Sequence, residues 1–245
     1  MGNITLCEAK NITLLMQYKN IKKATFLSRP NRFIAKVECE GEILTAHVKN
    51  TGRCRELLVE GAQVYLEFSD NPTRKTPCDL VAVERVMPSG ETILINMDSA
   101  APNAAAMEWL NAGGLGQLQN LRAEKTVGES RFDFYAEQNG TPVYIEVKGC
   151  TLIDEKTARF PDAPTQRGLR HVQHLTELKK QGARCIVLIV IQCKGVETFS
   201  PNWETHAAFG HALRQAKENG VELYAVDCIV TPDSTKIDQF VQVVM

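Results

Sequence analysis

Ser130-Arg131-Phe132-Asp133-Phe134-Tyr135 and Val143-Tyr144-Ile145-Glu146-Val147-Lys148-Gly149 are two β-rich runs separated by Asn139-Gly140. Asn-Gly between such runs is the strongest short-range hairpin signal, because both residues tolerate positive φ. With a two-residue loop, cross-strand partners sum to a constant, which sets Asp133 opposite Glu146 and Arg131 opposite Lys148. Side chains alternate faces. These four are therefore expected on one face, and Phe132, Phe134, Ile145 and Val147 on the other. Pro142 falls opposite Glu137 in a non-hydrogen-bonded pair, where its missing N–H costs little.

Directly opposed side chains have Cβ atoms about 5 Å apart, and like charges there are destabilising. Two facing carboxylates on an otherwise hydrophobic hairpin call for a cation between them. A hard divalent ion such as Mg2+ takes carboxylate oxygens together with water and phosphate oxygens. Lys148, about 6.6 Å further along the same face, is within reach of a water or phosphate beside such an ion. The pattern reads as metal-dependent phosphodiester chemistry.

Working outward, the chain has 245 residues, 44% hydrophobic and 23% charged, with a formal net charge of −1. This is the composition of a globular protein with one large or two modest domains, and it does not suggest a polyanion binder by charge alone. Local clustering does. Residues 9–36 carry Lys10, Lys19, Lys22, Lys23, Arg29, Arg32 and Lys36 and no acid, with Tyr18, Phe26 and Phe33 interleaved. The eight cysteines show no C-x-x-C pair and no zinc-ligand spacing, so they read as reduced thiols. No signal peptide or membrane-spanning apolar run is apparent, and the expected compartment is the cytoplasm, with no membrane partner.

Between Arg32 and Arg85 the pattern is short strands and turns. A turn at Glu40-Gly41 pairs Val37 with Leu44 and Ala35 with Ala46; further strands are expected at 63–68, 80–86 and 92–96. A five-stranded barrel of the oligonucleotide-binding type fits this spacing, as does any small β-domain. Met87-Pro88-Ser89-Gly90 is the expected boundary, giving domains 1–86 and 87–245. Residues 1–86 hold 13 basic and 10 acidic residues, a net of +3, and residues 87–245 hold 15 and 19, a net of −4. After the boundary come a helix from Pro102-Asn103 to Gly113, a strand at 121–127, the hairpin, and a proline-punctuated loop at 154–164. A helix at 165–181, a buried strand at 184–192, a helix at 202–219 and a strand at 221–228 follow. This order suggests a mixed sheet flanked by helices. On the helix at 165–181, Leu169, Val172, Leu175 and Leu178 form the apolar stripe, while Arg167, Arg170, His171 and His174 form a basic one suited to phosphate. His171 and His174 have no third ligand at zinc spacing.

Asp133 with Glu146-Val147-Lys148, in this order of elements, resembles the PD-(D/E)XK nuclease superfamily. Asn50-Thr51-Gly52-Arg53, the segment Lys75 to Val83, Ser130 to Phe134, Glu146-Val147-Lys148, and the segment Phe160 to Gly168 with His171 together resemble the sugar fermentation stimulation protein family. Lys49 stands where that family commonly has proline, and Glu129 where a small residue is usual.

The resemblance implies an N-terminal small OB-type β-barrel followed by a PD-(D/E)XK nuclease-like α/β domain with a mixed central sheet flanked by helices. It also implies DNA as partner, without sequence preference. By position, Asp133, Glu146 and Lys148 inherit the catalytic motif, and Asp133 and Glu146 the metal, Mg2+ or Mn2+. Lys22, Lys23, Arg32, Asn50, Arg53, Arg131, Arg159, Arg167, Arg170 and His171 are the expected nucleic-acid contacts. Glu108 and Glu124 are weaker candidates for further metal ligands, and Asp162 is either a third acid of the site or, as the preferred reading, a cap of the following turn. Cleavage of phosphodiesters is one reading; a DNA-binding regulator of sugar (maltose-type) metabolism without turnover is the other. The oligomeric state, a homodimer included, stays open.

Overall fold

Both expected hairpins form in the expected register beside their turns, but the second opens before the expected pairs Asp133–Glu146 and Arg131–Lys148. The computed structural model describes residues 16–50 and 52–245, so Lys10 of the basic stretch lies outside the described residues. Strands β1 (Ile21–Asn31), β2 (Ile34–Cys39), β3 (Glu42–Val48), β4 (Gln63–Phe68), β5 (Cys78–Val86) and β6 (Thr92–Asn96) make the first sheet. The sheet order is β3-β2-β1-β4-β5-β6, and a parallel pairing of β3 with β5 closes the first five strands into a barrel. Val37 pairs with Leu44 and Ala35 with Ala46 across a turn whose residues, Glu40 and Gly41, both have positive φ. The barrel is filled by Phe26, Val37, Ala46, Val64, Leu66 and Leu80, all at most 2% exposed. Closure removes the sheet edges that would otherwise offer unpaired backbone groups.

The segment 87–90 is the turn of the β5–β6 hairpin, with Gly90 donating its N–H to the Met87 carbonyl. The passage between the two sheets therefore comes after Asn96 and not at 86/87: β6 continues the barrel sheet because its residues from Thr92 to Asn96 all find partners on β5.

The second sheet has nine strands. Helix α1 (Ala101–Asn111) precedes β7 (Gln119–Val127), β8 (Ser130–Gln138) and β9 (Thr141–Cys150). Short strands β10 (Ile153–Asp154) and β11 (Thr157–Phe160) lie within the segment expected to be a loop. They are followed by α2 (Gln166–Lys180), β12 (Arg184–Ile191), β13 (Thr198–Pro201), α3 (Trp203–Glu218), β14 (Glu222–Thr231) and β15 (Ser234–Val243). The order is β10-β11-β13-β15-β14-β12-β9-β8-β7, with β9, β12 and β14 parallel and β7, β8 and β9 antiparallel. Thr165 caps α2 by accepting the Gly168 N–H, and Asn202 caps α3 by accepting the Thr205 N–H. Among the described residues, no helix is long and apolar enough to cross a membrane.

A buried polar seam joins the two sheets. Gln192, at the end of β12, donates its amide to Asn96 Oδ1 (2.9 Å) and to the Asp98 carbonyl (3.1 Å), and Asn96 donates to Tyr18 Oη (2.8 Å). Lys49 pairs with Asp98, and Asp98 Oδ1 accepts the Ala100 N–H at the entry to α1. The barrel thus holds the start of α1, which reaches the hairpin from the other side.

Candidate metal and nucleic-acid site

Asn139 and Gly140 have φ of 49° and 77°, and the β8–β9 ladder runs Gln138↔Thr141, Glu137↔Pro142, Ala136↔Val143, Tyr135↔Tyr144 and Phe134↔Ile145. There it stops. At the next step Asp133 bends across, and its Oδ2 accepts the N–H of Val147 at 2.7 Å. Strand β8 continues from Phe132 to Ser130 along β7 alone. The side-chain alternation changes with it: Phe134 packs with Ile145 and Val147 beneath α1, whereas Phe132 packs in the other core, against Tyr144, His171 and His174. The expectation that Phe132 shares a face with Phe134 fails because the strands part at Asp133.

The three residues expected to form the catalytic motif, Asp133, Glu146 and Lys148, meet at this parting. Lys148 Nζ donates to Glu146 Oε1, and His171 Nδ1 of α2 contacts the same oxygen. Glu146 is 2% exposed, and its other oxygen, Oε2, is buried with no hydrogen-bond partner among the described residues. Asn103 of α1 donates to Asp133 Oδ1 at 2.9 Å. Burial and the nearby charge of Glu146 hold the Asp133 carboxyl above the usual carboxylate range. Burial acts to raise Glu146 too, but His171 and Lys148 together outweigh it and leave its pKa lowered.

These residues fit a divalent cation. The orphaned Glu146 Oε2 is a buried oxygen lone pair without a donor, an arrangement that costs free energy unless something electropositive faces it. The repulsion that raises Asp133 is relieved by positive charge. Among the described residues, no third His, Cys, Asp or Glu completes a metal-ligand cluster, so the remaining ligands would be water or phosphate oxygens, as a hard cation accepts. Glu124 pairs with Arg131 at 3.4 Å instead of joining the site, while Glu108 on α1 has its Oε2 buried without a partner.

Beside the carboxylates lies a groove of about 750 Å³ between the β7–β8 turn and α2, lined by Glu129, Arg131, Arg167, Arg170, His171 and His174 among others. Arg131, Arg167 and Arg170 are exposed there. His171 is instead 6% exposed and spends Nδ1 on Glu146, so it orients the carboxylate from the groove floor. Positions 171, 175 and 178 share one helical face with spacing i, i+4, i+7, and that spacing was the sequence signal for its burial. Asn103 had no such signal, since its partner is 30 residues away.

The remaining expected contacts lie apart. Lys22 pairs with Glu40 at 2.7 Å and Lys23 with Glu84 at 2.8 Å, so the β2–β3 turn and β5 supply the acids that the sequence of β1 lacks. Arg32 is exposed in the β1–β2 turn, and Arg159 pairs with Asp154 at 3.1 Å. Asn50 Oδ1 accepts the Gly52 N–H, and Arg29 donates to the carbonyls of Asn50, Gly52, Arg53 and Arg32. Asp162 does not cap its own turn: its Oδ2 accepts the Arg53 N–H at 2.9 Å, tying the barrel loop to the second domain and leaving the Arg53 side chain exposed. A Cβ on Gly52 would lie 2.3 Å from that oxygen, which explains the glycine by close approach.

Comparison with known proteins agrees with this architecture. A family model described as "SfsA N-terminal OB domain" matches residues 27–95, and one described as "Sugar fermentation stimulation protein RE domain" matches residues 100–234. The sugar fermentation stimulation protein homolog of Desulfitobacterium hafniense (strain Y51) is 48% identical over 228 residues, covering 93% of this chain and 98% of the relative. That of Clostridium beijerinckii is 46% identical over 231 residues, covering 94% and 100%. A solved structure described as Pyrococcus furiosus SfsA in complex with Ca2+ superimposes with a TM-score of 0.83 at 25% identity, covering 94% of this chain and 99% of that one. With an oligonucleotide-binding-type barrel joined to a mixed sheet, and with relatives matched along nearly their whole length, the chain belongs to the sugar fermentation stimulation protein family.

Proposed function

We propose that this protein binds DNA without sequence preference and carries a divalent-metal phosphodiesterase site at Asp133 and Glu146. The observation that carries this is the buried, partnerless Oε2 of Glu146 at the point where β8 and β9 part, beside a groove lined with arginine. Asp133 and Glu146 would hold Mg2+ or Mn2+. When bound, such an ion polarises a phosphoryl oxygen and lowers the pKa of a water. Asn103 fixes Asp133 and His171 fixes Glu146, while Lys148 places its ammonium beside the carboxylate, where it can steady a water or developing charge. Arg131, Arg167 and Arg170 offer charge-assisted hydrogen bonds to phosphates. Arg32 and Arg53 give the barrel a second, smaller contact. That the Pyrococcus furiosus relative was solved with Ca2+, an oxygen-seeking cation, supports a metal role for this family member.

A second reading, DNA binding without turnover, is favoured by one observation: Oε1 of Glu146 already has two partners, Lys148 Nζ and His171 Nδ1. One experiment separates the two. Single-stranded and duplex DNA are incubated with the protein in Mg2+, Mn2+ or EDTA, with Lys148→Ala and Glu146→Ala alongside. Metal-dependent cleavage reduced at least about a hundredfold in both variants supports the phosphodiesterase. Binding without cleavage in any metal favours the second reading, and cleavage unaffected by either substitution removes the assignment of the site.

A further inference from the structure

The β7 edge carries a second cationic surface that the N-terminal charge excess gives no hint of. Arg122 and Lys125 both lie over the ring of Tyr135, with the guanidinium carbon 4.7 Å and the ammonium 5.4 Å from its centroid. Tyr144 meets the same ring edge-on at 5.4 Å and fixes its plane. Neither cation has an acidic partner within ion-pair distance among the described residues; the same is true of Arg167, Arg170 and His174, while Arg131 has only the exposed Glu124. Beyond Lys125 the β7–β8 ladder runs through Thr126↔Arg131 and Val127↔Ser130 to the turn that lines the groove, so the β7 edge leads to the groove that ends at His171 and Glu146. On the barrel, by contrast, Lys22, Lys23 and Arg74 are each held by a carboxylate.

From these juxtapositions we infer that the Arg122–Lys125–Tyr135 surface binds a single-stranded polynucleotide and leads it into the groove. Unpaired cations spaced along an edge, with an aromatic ring among them, are what a single strand requires: the cations neutralise successive phosphates and the ring offers a stacking face. A duplex keeps its base faces inside its own stack and has none to give Tyr135. An arriving base takes one face of the ring, and the cation it displaces moves to the flanking phosphate. Strand β7 carries a register shift and residues of positive φ at Asn120 and Glu124, irregularities that discourage further strand pairing and leave this edge open to such a ligand. The inference rests on the reading of Glu146 as a phosphodiester site and supplies the strand form that site receives.

The test uses the full chain and fluorescence anisotropy, in EDTA and in Ca2+, with a labelled oligothymidylate of roughly twenty nucleotides and a duplex of equal length. The wild type is expected to prefer the single strand. Arg122→Gln with Lys125→Gln should weaken oligothymidylate binding about tenfold or more, and should reduce the magnitude of the slope of log K against log salt by roughly 1.4, for two phosphate contacts. Tyr135→Leu should weaken the single strand about tenfold and leave the duplex within about twofold. Circular dichroism melts report folding of these surface variants. Oligothymidylate affinity unchanged in both variants overturns the inference and leaves the Glu146 site standing if the wild type still cleaves. Equal losses for duplex and single strand in Tyr135→Leu overturn the single-strand assignment. Failure of the wild type to bind either probe overturns both this inference and the function on which it rests.

Discussion

The β2–β3 and β8–β9 hairpins begin alike and end differently. Each has a two-residue turn of positive φ, Glu40-Gly41 in one and Asn139-Gly140 in the other. The β2–β3 hairpin stays paired from Cys39↔Glu42 to Ile34↔His47 and becomes barrel wall. The β8–β9 hairpin is paired for five steps and then opens, because the Asp133 carboxylate takes the Val147 N–H in place of a backbone carbonyl. The first satisfies its backbone groups with backbone. The second uses a charged side chain, and at that point two carboxylates come together, one buried oxygen of which has no partner among the described residues. Turn chemistry sets the register in both; what the strands do beyond five residues is decided by what packs on them.

Removing the residue that crosses between cores at the opening should have the largest effect on stability. Phe132→Ala is expected to cost about 3–5 kcal/mol in chemical denaturation, since its buried ring contacts Tyr144, His171 and His174. A loss of under about 1 kcal/mol would mean that the opened strand is not held by this packing. Next, Glu146→Gln in EDTA should destabilise by about 3 kcal/mol, because it leaves Lys148 and His171 beside a neutral amide. The folded pKa of Glu146 lies below its unfolded value, so its contribution is present above roughly pH 4.3 and is lost as pH falls through the folded pKa. The gap between wild type and Glu146→Gln should accordingly narrow in acid.

Gly41→Ala and Gly140→Ala sharpen the comparison from the turn side. Both glycines have positive φ and open space around the position of a Cβ, so each substitution should cost about 1 kcal/mol, and by the same amount in the two hairpins. Unequal costs would show that the turns are not equivalent. The smallest effect has the opposite sign. Asp133→Asn keeps one oxygen for the Val147 N–H, lets the Asn103 amide turn its own oxygen toward the new NH2, and removes a charge whose folded pKa is raised by burial and by Glu146. That charge opposes folding above the unfolded pKa of about 3.9, increasingly up to the folded pKa and constantly beyond it. In EDTA at pH 7, Asp133→Asn should therefore melt slightly above the wild type, and the two curves should meet in acid.

The parts of the molecule legible in the sequence are those fixed by local chemistry. Asn139-Gly140 and Glu40-Gly41 gave their registers, Thr165 and Asn202 their helix starts, and the register brought Asp133, Glu146 and Lys148 into one neighbourhood. Strands β10, β11 and β13 were not legible, because they are two to four residues long and the pairings that tie β11 to β13 and β13 to β15 are parallel ones between distant segments. The barrel strand β6 looked detachable from its proline-containing turn, and its five-residue ladder with β5 shows why it is not. Asn103 on Asp133 and Asp162 on the Arg53 N–H are tertiary meetings over 30 and 109 residues, which no local pattern encodes. The acid-free stretch 9–36 misleads in the same way: within its described part, Lys22 and Lys23 meet acids from the β2–β3 turn and β5, while Arg122 and Lys125 of β7 and Arg167 and Arg170 of α2 have no ion-pair partner among the described residues.

The central claim is that the opened hairpin is a divalent-cation site, and a thermal melt of the wild type and Asp133→Asn in Ca2+ or Mg2+ against EDTA tests it without requiring turnover. A ligand that binds only the folded state at about a hundred times its Kd stabilises by roughly 2.7 kcal/mol, which corresponds to a rise of several degrees in Tm for a domain of this size. The account predicts that rise for the wild type, and a much smaller one for Asp133→Asn despite its higher starting Tm. A wild-type Tm that does not move with either cation, or an equal rise in both proteins, would contradict it.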